Sequence, residues 1–303
     1  MALFFLFVDG IGIGKKTEKN PLASEKWKAF SWFTGCEGLH SGCEEVIKEQ
    51  RLFKKLDANL GVVGLPQSGT GQVALFSGEN ASKLVGKHFG PFPYSTTKPI
   101  LRKRSLFHKV IEMGLKPHFL NAYPEIFFQR SEMRDRWTST TLMAKSAGLK
   151  LNSLQDILEE RAVTAEIIQS AWRNMLGLDV PEITPEDAGT RVINALKKYD
   201  LILYEYYLTD KSGHEMDKDK SEEVLTILNR FMIHILENMD PNDTFVMTSD
   251  HGNMENLNLK THTRNPVPLF VKGNTAPFKN ASSILDVTPA ILEVLGMPHP
   301  SKG

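Results

Sequence analysis

The stretch Thr244-Phe245-Val246-Met247-Thr248-Ser249-Asp250-His251-Gly252-Asn253-Met254 decides how this chain is read. Its first five residues are apolar or β-branched and have the length of a buried strand. They run directly into an adjacent carboxylate and imidazole, followed by a glycine. In an open parallel sheet, the loop beyond the carboxyl end of a strand is where ligands bind. Asp and His side by side at that place offer a hard oxygen and a borderline nitrogen, a set suited to zinc or manganese. Alone, the pair also has a bland reading, the less favoured one, as a helix N-cap with an incidental histidine.

Outward from this stretch, further short apolar runs bounded by turn residues read as strands: Leu3–Val8, Leu60–Val63, His118–Leu120, Leu201–Tyr206 and Val267–Val271. Helical patterns lie between them. Leu101–Met113 stops at Gly114, and Pro185–Lys198 follows an N-cap at Thr184. Ser221–Met239 enters through Ser221, and Ser283–Leu295 closes at Gly296 and Pro298. Strands alternating with helices predict an α/β fold with a mostly parallel sheet. From about Tyr123 to about Ile183 the alternation breaks into helical patterns without a convincing strand. The expected organisation is a core of residues 1–122 and 184–303 with a small helical cap at 123–183 over the strand ends. No internal repeat or low-complexity linker is visible.

Four more segments carry chemistry. Asp210 and His214, after the strand Leu201–Tyr206, are four apart and can meet on one side of a helical turn. Asp9 ends the first strand, and Gly10 and Gly12 let the backbone turn sharply near a ligand. Those glycines do not make a dinucleotide fingerprint, for want of a third at the required offset. In Pro66-Gln67-Ser68-Gly69-Thr70-Gly71-Gln72, glycines flank Thr70 at an expected helix N-terminus, where amides and dipole favour a phosphate. A metal on that hydroxyl would make it a nucleophile near neutral pH; Ser68 is a second candidate for the role. His262 lies in a polar loop, Thr261-His262-Thr263-Arg264-Asn265-Pro266-Val267-Pro268, that feeds a strand. Each segment has a bland reading as a cap, a turn or a surface histidine. All five fall at strand ends or beside them, which independent coincidences would not produce.

In this combination and order the chain resembles the alkaline phosphatase superfamily, particularly its branch of cofactor-independent phosphoglycerate mutases and phosphopentomutases. The marks are Asp9-Gly10, the glycine-flanked Thr70, Asp210 with His214, Asp250-His251-Gly252-Asn253, and His262 with Asn265-Pro266-Val267-Pro268. They cover about residues 1–120 and 185–303. The resemblance implies a three-layer α/β core and two divalent metal ions, manganese or zinc. One ion would be held by Asp210, His214 and His262. The other would be held by Asp9, Asp250, His251 and the hydroxyl of Thr70. It implies a phosphothreonine intermediate, with the phosphoryl group passed to a second hydroxyl of a small phosphorylated metabolite (a phosphomutase) or to water (a phosphatase or phosphodiesterase). The Thr at the nucleophile position matches phosphopentomutases, whereas phosphoglycerate mutases use Ser. The expected cap is smaller than the substrate domain of either mutase and carries no cap motif of either. Arg264, beside a metal ligand, is the candidate substrate-binding cation.

Composition sets the remaining bounds. Lys plus Arg and Asp plus Glu are 36 each, so no net charge asks for nucleic acid or a membrane surface. The two cysteines, Cys36 and Cys43, read as reduced thiols. The run Leu3–Val8 is too short for a secretory h-region and ends in Asp9, so a cytoplasmic location is expected.

Overall fold

In the chain, β-branched and aromatic runs become strands and the amphipathic stretches between them become the covering layers. The computed structural model describes residues 1–296. The first half runs β1 (Leu3–Val8), α1 (Lys28–Thr34), β2 (Val46–Ile47), β3 (Arg51–Leu56), α2 (Ser68–Ser77), α3 (Ala81–Val85), α4 (Lys98–Lys103) and α5 (Leu106–Glu112). Next come β4 (Pro117–Phe119), β5 (Asn121–Ala122), α6 (Glu125–Met133), α7 (Ser139–Ser146), α8 (Leu154–Leu158), β6 (Val163–Thr164) and α9 (Ser170–Asn174). The last part is α10 (Pro185–Leu196), β7 (Leu201–Tyr206), α11 (Leu208–Glu215), α12 (Lys218–Asn238), β8 (Thr244–Thr248), β9 (Val267–Lys272) and α13 (Val287–Gly296).

The main sheet has the order β2-β3-β9-β8-β1-β7-β4. The strands β8, β1, β7 and β4 are parallel; β9 is antiparallel to β8, and β3 to β9. Strand β1 sits between β7 and β8 and is buried along its whole length, as its unbroken LFFLFV run requires. Its alternate residues face two separate cores. Leu3, Phe5 and Phe7 pack with α2, α4, α5, α7 and α13, whereas Phe4, Leu6 and Val8 pack with α1, α10 and α12. The result is the expected three-layer α/β core.

Several boundaries differ from the sequence expectation. Leu60–Val63 is a turn: the Asp57 carboxylate accepts the N–H groups of Asn59 and Leu60, and Leu60 and Gly61 take φ of 56° and 67°. Val63 is 90% exposed. The strand at this place is β3, whose Arg51, Lys54 and Lys55 disguise its apolar face. The helix expected over Leu101–Met113 breaks at an extended Ser105 into α4 and α5. The long helix α12 starts at Lys218 under an Asp217 cap that accepts the N–H groups of Asp219 and Lys220. Ser283 caps a 3-10 turn, Ile284–Asp286, that leads into α13; Pro298 lies outside the described residues. Cys36 and Cys43 are joined in a disulfide rather than free, because the loop brings their Cα atoms to 6.1 Å.

Segment 123–183 is not purely helical: β6 pairs in parallel with β5. Trp137 and residues Leu142–Ala144 of α7 belong to the large core. Ala122, Ile157, Ala162, Trp172 and Val180 form a small cluster of their own. Asp156 anchors that part: it accepts from the Ser153 N–H, pairs with Lys150 and Arg161, and is 3% exposed. Despite the opposing effect of burial, these partners hold its carboxyl well below the usual range. A depressed folded value means that this stability is present above the unfolded value near 4 and is lost as pH falls below it. Asp156→Ala should therefore cost about 2 kcal/mol at pH 7 in a denaturant titration, and progressively less as pH falls from about 4 toward the depressed folded value. A loss that stays constant over that range would contradict the pairing.

Candidate metal centre and active site

Each expected Asp and His ligand lies just beyond the end of a main-sheet strand or in the loop entering one. Asp9 follows β1, Asp250 and His251 follow β8, and Asp210 and His214 lie one turn apart on α11 after β7. His262 precedes β9, whose antiparallel direction brings its amino end to the same edge. Gly10 has φ of 73°, and a Cβ there would lie 2.7 Å from the Cα of Asp210, so only glycine lets these two strand ends approach.

The side chains converge. His214 Nε2 lies 3.3 Å from Asp210 Oδ2, and His262 Nε2 lies 3.2 Å from His214 Nε2 and 3.6 Å from Asp210 Oδ1. His251 Nε2 lies 3.3 Å from Asp9 Oδ1 and 3.6 Å from Asp250 Oδ2. The groupings Asp9/Asp250/His251 and Asp210/His251/His262 each place their ligand atoms close enough to hold one cation. His214 Nδ1 donates to the Lys260 carbonyl at 2.6 Å and His262 Nδ1 to the Pro66 carbonyl at 2.7 Å. Those bonds fix the rings and leave both Nε2 atoms turned to the cluster.

Asp9 Oδ1, both carboxylate oxygens of Asp250 and His251 Nδ1 are buried with no hydrogen-bond partner. Orphaned acceptors of this kind are costly unless a cation meets them, so the donor set fits divalent metal. Burial, then the neighbouring Asp250 and Asp210 charges, pushes Asp9 far up. Burial pushes Asp250 up to about 7 and His251 down to about 3. Asp210 is held low against its burial by His214, His251, Asn253 and His262.

The hydroxyl that joins this cluster is that of Ser68. Ser68 Oγ lies 2.9 Å from His251 Nε2 and faces the cavity that Asp9 and Asp210 also line. Thr70 is fully buried, its Oγ1 accepting the Phe89 N–H at 3.1 Å and donating to the Gln67 carbonyl at 3.4 Å. Two positions along the first turn of α2 point the two hydroxyls in different directions, and Thr70 goes to the packing side. Gly69 permits the turn: a Cβ there would meet the Phe92 carbonyl oxygen at 2.2 Å. Gly69→Ala should lower the melting temperature by several degrees, an overpacking cost of about 1–3 kcal/mol, and displace Ser68. An unchanged melting curve with unchanged metal affinity would contradict this reading of the turn.

Arg264 lines none of the cavities beside the cluster; it is exposed, with Nε donating to Asn59 Oδ1 at 3.2 Å. Arg104 pairs with Glu79. The sequence reading missed the residues that hold the ligands. Gln72 donates to Asp9 Oδ2 at 3.2 Å, and Asn253 donates to Asp210 Oδ1 at 2.7 Å. Glu255 accepts the Gly12 N–H at 3.0 Å and bonds the Thr263 hydroxyl and Asn265. Asn253 stands in the opening motif and Gln72 in the Ser68 motif, so proximity in sequence could have flagged both.

Three comparisons bear on this geometry. The family model described as Metalloenzyme superfamily matches residues 115–299. The 2,3-bisphosphoglycerate-independent phosphoglycerate mutase of Ehrlichia canis is 32% identical over 133 residues, 40% of this chain and 26% of that protein. The matched stretch thus spans about a quarter of that relative's length. Among solved structures, the PH0037 protein from Pyrococcus horikoshii has a TM-score of 0.60 at 12% identity, covering 100% of this chain and 98% of that one. The alkaline phosphatase from the Antarctic bacterium TAB5 has a TM-score of 0.57 at 12% identity, covering 98% of each chain. The Asp/His edge and the three-layer fold agree with these matches: the chain belongs to the Metalloenzyme superfamily, on an alkaline phosphatase-like fold and resembling the phosphoglycerate mutase branch.

Proposed function

We propose that this chain transfers the phosphoryl group of a small phosphate ester to Ser68 and then to water. The observation that carries the reading is the Ser68 hydroxyl, 2.9 Å from His251 Nε2, among six Asp and His ligands at one sheet edge. Bound there, two divalent ions would supply Lewis acidity, lowering the hydroxyl pKa and offsetting charge on the phosphoryl oxygens. Asp210, His214 and His262 would hold one; Asp9, Asp250, His251 and Ser68 would hold the other. Manganese and zinc both suit that donor set.

Ser68 is the first residue of α2, where the helix dipole favours the phosphoryl group, although the Thr70 N–H of that turn is already given to the Phe89 carbonyl at 2.9 Å. The Ser68 hydroxyl proton passes to water as Oγ attacks phosphorus, the ester P–O bond breaks and the leaving oxygen takes a proton back from water. A second water then attacks phosphorus and breaks the Oγ–P bond, its oxygen leaving in phosphate and one of its protons returning to Ser68 Oγ. Residues of segment 123–183 line one side of the cavity beside the cluster. Phosphoserine, rather than phosphothreonine at Thr70, is the intermediate. Acid quenching during turnover, followed by peptide mass spectrometry, should find the phosphate on Ser68. Phosphate on Thr70, or on neither residue, would overturn the assignment.

The mutase relatives favour a second reading, return of the phosphoryl group to another hydroxyl of the substrate. Against it, Lys211 is the one basic residue among the described lining of the substrate cavity, which leaves little to hold a second anionic group while the ester turns around. Following free phosphate and positional isomers together separates the two.

No described helix is long and apolar enough to cross a membrane. A cytoplasmic location is the sequence expectation, and the Cys36–Cys43 disulfide counts against it, because such bonds persist in oxidising compartments. Alkylation of intact cells before lysis should leave both sulfurs unlabelled; labelling of both would place the protein in the cytoplasm.

A further inference from the structure

One wall of the cavity beside Ser68 is not used by the phosphoryl chemistry. The cavity measures about 680 Å³ and reaches from Asp9, Ser68 and Asp210 to the segment around α9. Its lining includes the rings of Tyr123, Phe127, Trp172 and Tyr207. Two carboxylates share that lining, Glu166 and Glu205, each only 8% exposed. Among the described residues, neither has a Lys, Arg or His within ion-pair distance. Their partners are neutral. Glu166 Oε1 accepts the Ala171 N–H at 3.1 Å, and Glu205 Oε2 accepts the Thr140 hydroxyl at 2.5 Å.

Buried carboxylates without a counter-ion are costly, and two of them on one cavity wall ask for a positive charge from the ligand. Aromatic faces attract the same charge through their quadrupoles. The exposed Arg136 already lies over the outer ring, Phe92, at 4.0 Å, outside the lining. Lys211 follows Asp210 on α11 and so stands at the metal end of the cavity. A ligand with a carboxylate at the far end would instead meet two carboxyl groups that burial already raises and that have no cation beside them.

Resting on the phosphate-ester reading above, we infer that the alcohol part of the substrate carries an ammonium group, seated on the aromatic wall that bears Glu166 and Glu205. The substrate class is a small aminoalkyl or quaternary ammonium alkyl phosphate, and phosphoglycerates are disfavoured.

The test compares three probes on the metal-loaded full chain: 2-(trimethylammonio)ethyl phosphate, its neutral carbon isostere 3,3-dimethylbutyl phosphate, and 3-phosphoglycerate. Calorimetry should find the ammonium ester bound about tenfold or more tighter than the isostere, with 3-phosphoglycerate weakest. In Glu166→Gln and Glu205→Gln that ratio should fall to roughly threefold or less. Because the ratio is read within one sample, partial unfolding or metal loss cancels, and the wild-type ratio decides if a variant does not fold. An isostere bound equally well, a tighter 3-phosphoglycerate, or no binding of the ammonium ester at roughly millimolar concentration overturns the inference. Phosphate release is followed in parallel. Selective binding without release would remove the phosphoryl-transfer reading and leave this one standing, whereas release from all three probes alike would do the reverse.

Discussion

Ser68→Ala is expected to lower kcat for phosphate-ester turnover by about 10³-fold or more, whereas Thr70→Val should lower it by less than about tenfold. The two hydroxyls sit in the same turn but have different surroundings. Ser68 Oγ is 2.9 Å from His251 Nε2 and opens on the cavity. Thr70 Oγ1 is fully buried and accepts the Phe89 N–H at 3.1 Å. Removing the Thr70 hydroxyl leaves that N–H without its acceptor, so Thr70→Val should cost about 1–3 kcal/mol of stability while leaving chemistry largely intact. Steady-state kinetics and a melting curve on each variant check both halves. A Thr70 variant that is dead but fully stable would reverse the assignment.

Asp250→Ala should abolish turnover and empty the site built around Asp9 and His251. Asp250 is fully buried, and neither of its carboxylate oxygens has a hydrogen-bond partner. A bound cation is what makes that arrangement favourable, so the metal is tied to stability as well as to chemistry. Chelating the wild type should lower its melting temperature by several degrees, matching roughly 2–3 kcal/mol of linked binding at a hundredfold excess over Kd. Asp250→Ala, with the orphaned carboxylate gone, should be less sensitive to chelator and should lose metal by elemental analysis. Full metal content in the variant, or a chelator-insensitive wild type, would contradict the assignment.

Much of the frame was legible because its signals are local. Leu3–Val8, Leu201–Tyr206 and Thr244–Thr248 are dominated by apolar and β-branched residues, with Glu205 the one charge among them, and each is a central strand with those same bounds. Thr184-Pro185 with Asp187 spelled out the start of α10, where the capping box forms. The failures lie where a local signal was overruled. Leu60–Val63 is apolar enough for a strand, but the Asp57 carboxylate closes a turn there. Strand β3 carries three basic residues that a periodicity reading discounts, and the sheet accepts it because Leu52, Phe53 and Leu56 are buried. The aromatic cavity was out of reach for the same reason: Phe92, Tyr123, Trp172 and Tyr207 are far apart in the chain and come from different elements.

The sequence by itself determined which residue types stand at strand ends: Asp9, Asp210, His214, Asp250 and His251 are read from polar residues that follow apolar runs, and His262 from a polar loop that precedes one. Only the tertiary structure decided which hydroxyl lies beside them. Glycines on both sides of Thr70 are visible in the chain, but the direction of a side chain in the first turn of α2 depends on how that helix is rotated against the sheet. Packing of Val73, Leu75 and Phe76 into the core sets that rotation, sends Thr70 toward Phe89 and turns Ser68 to His251.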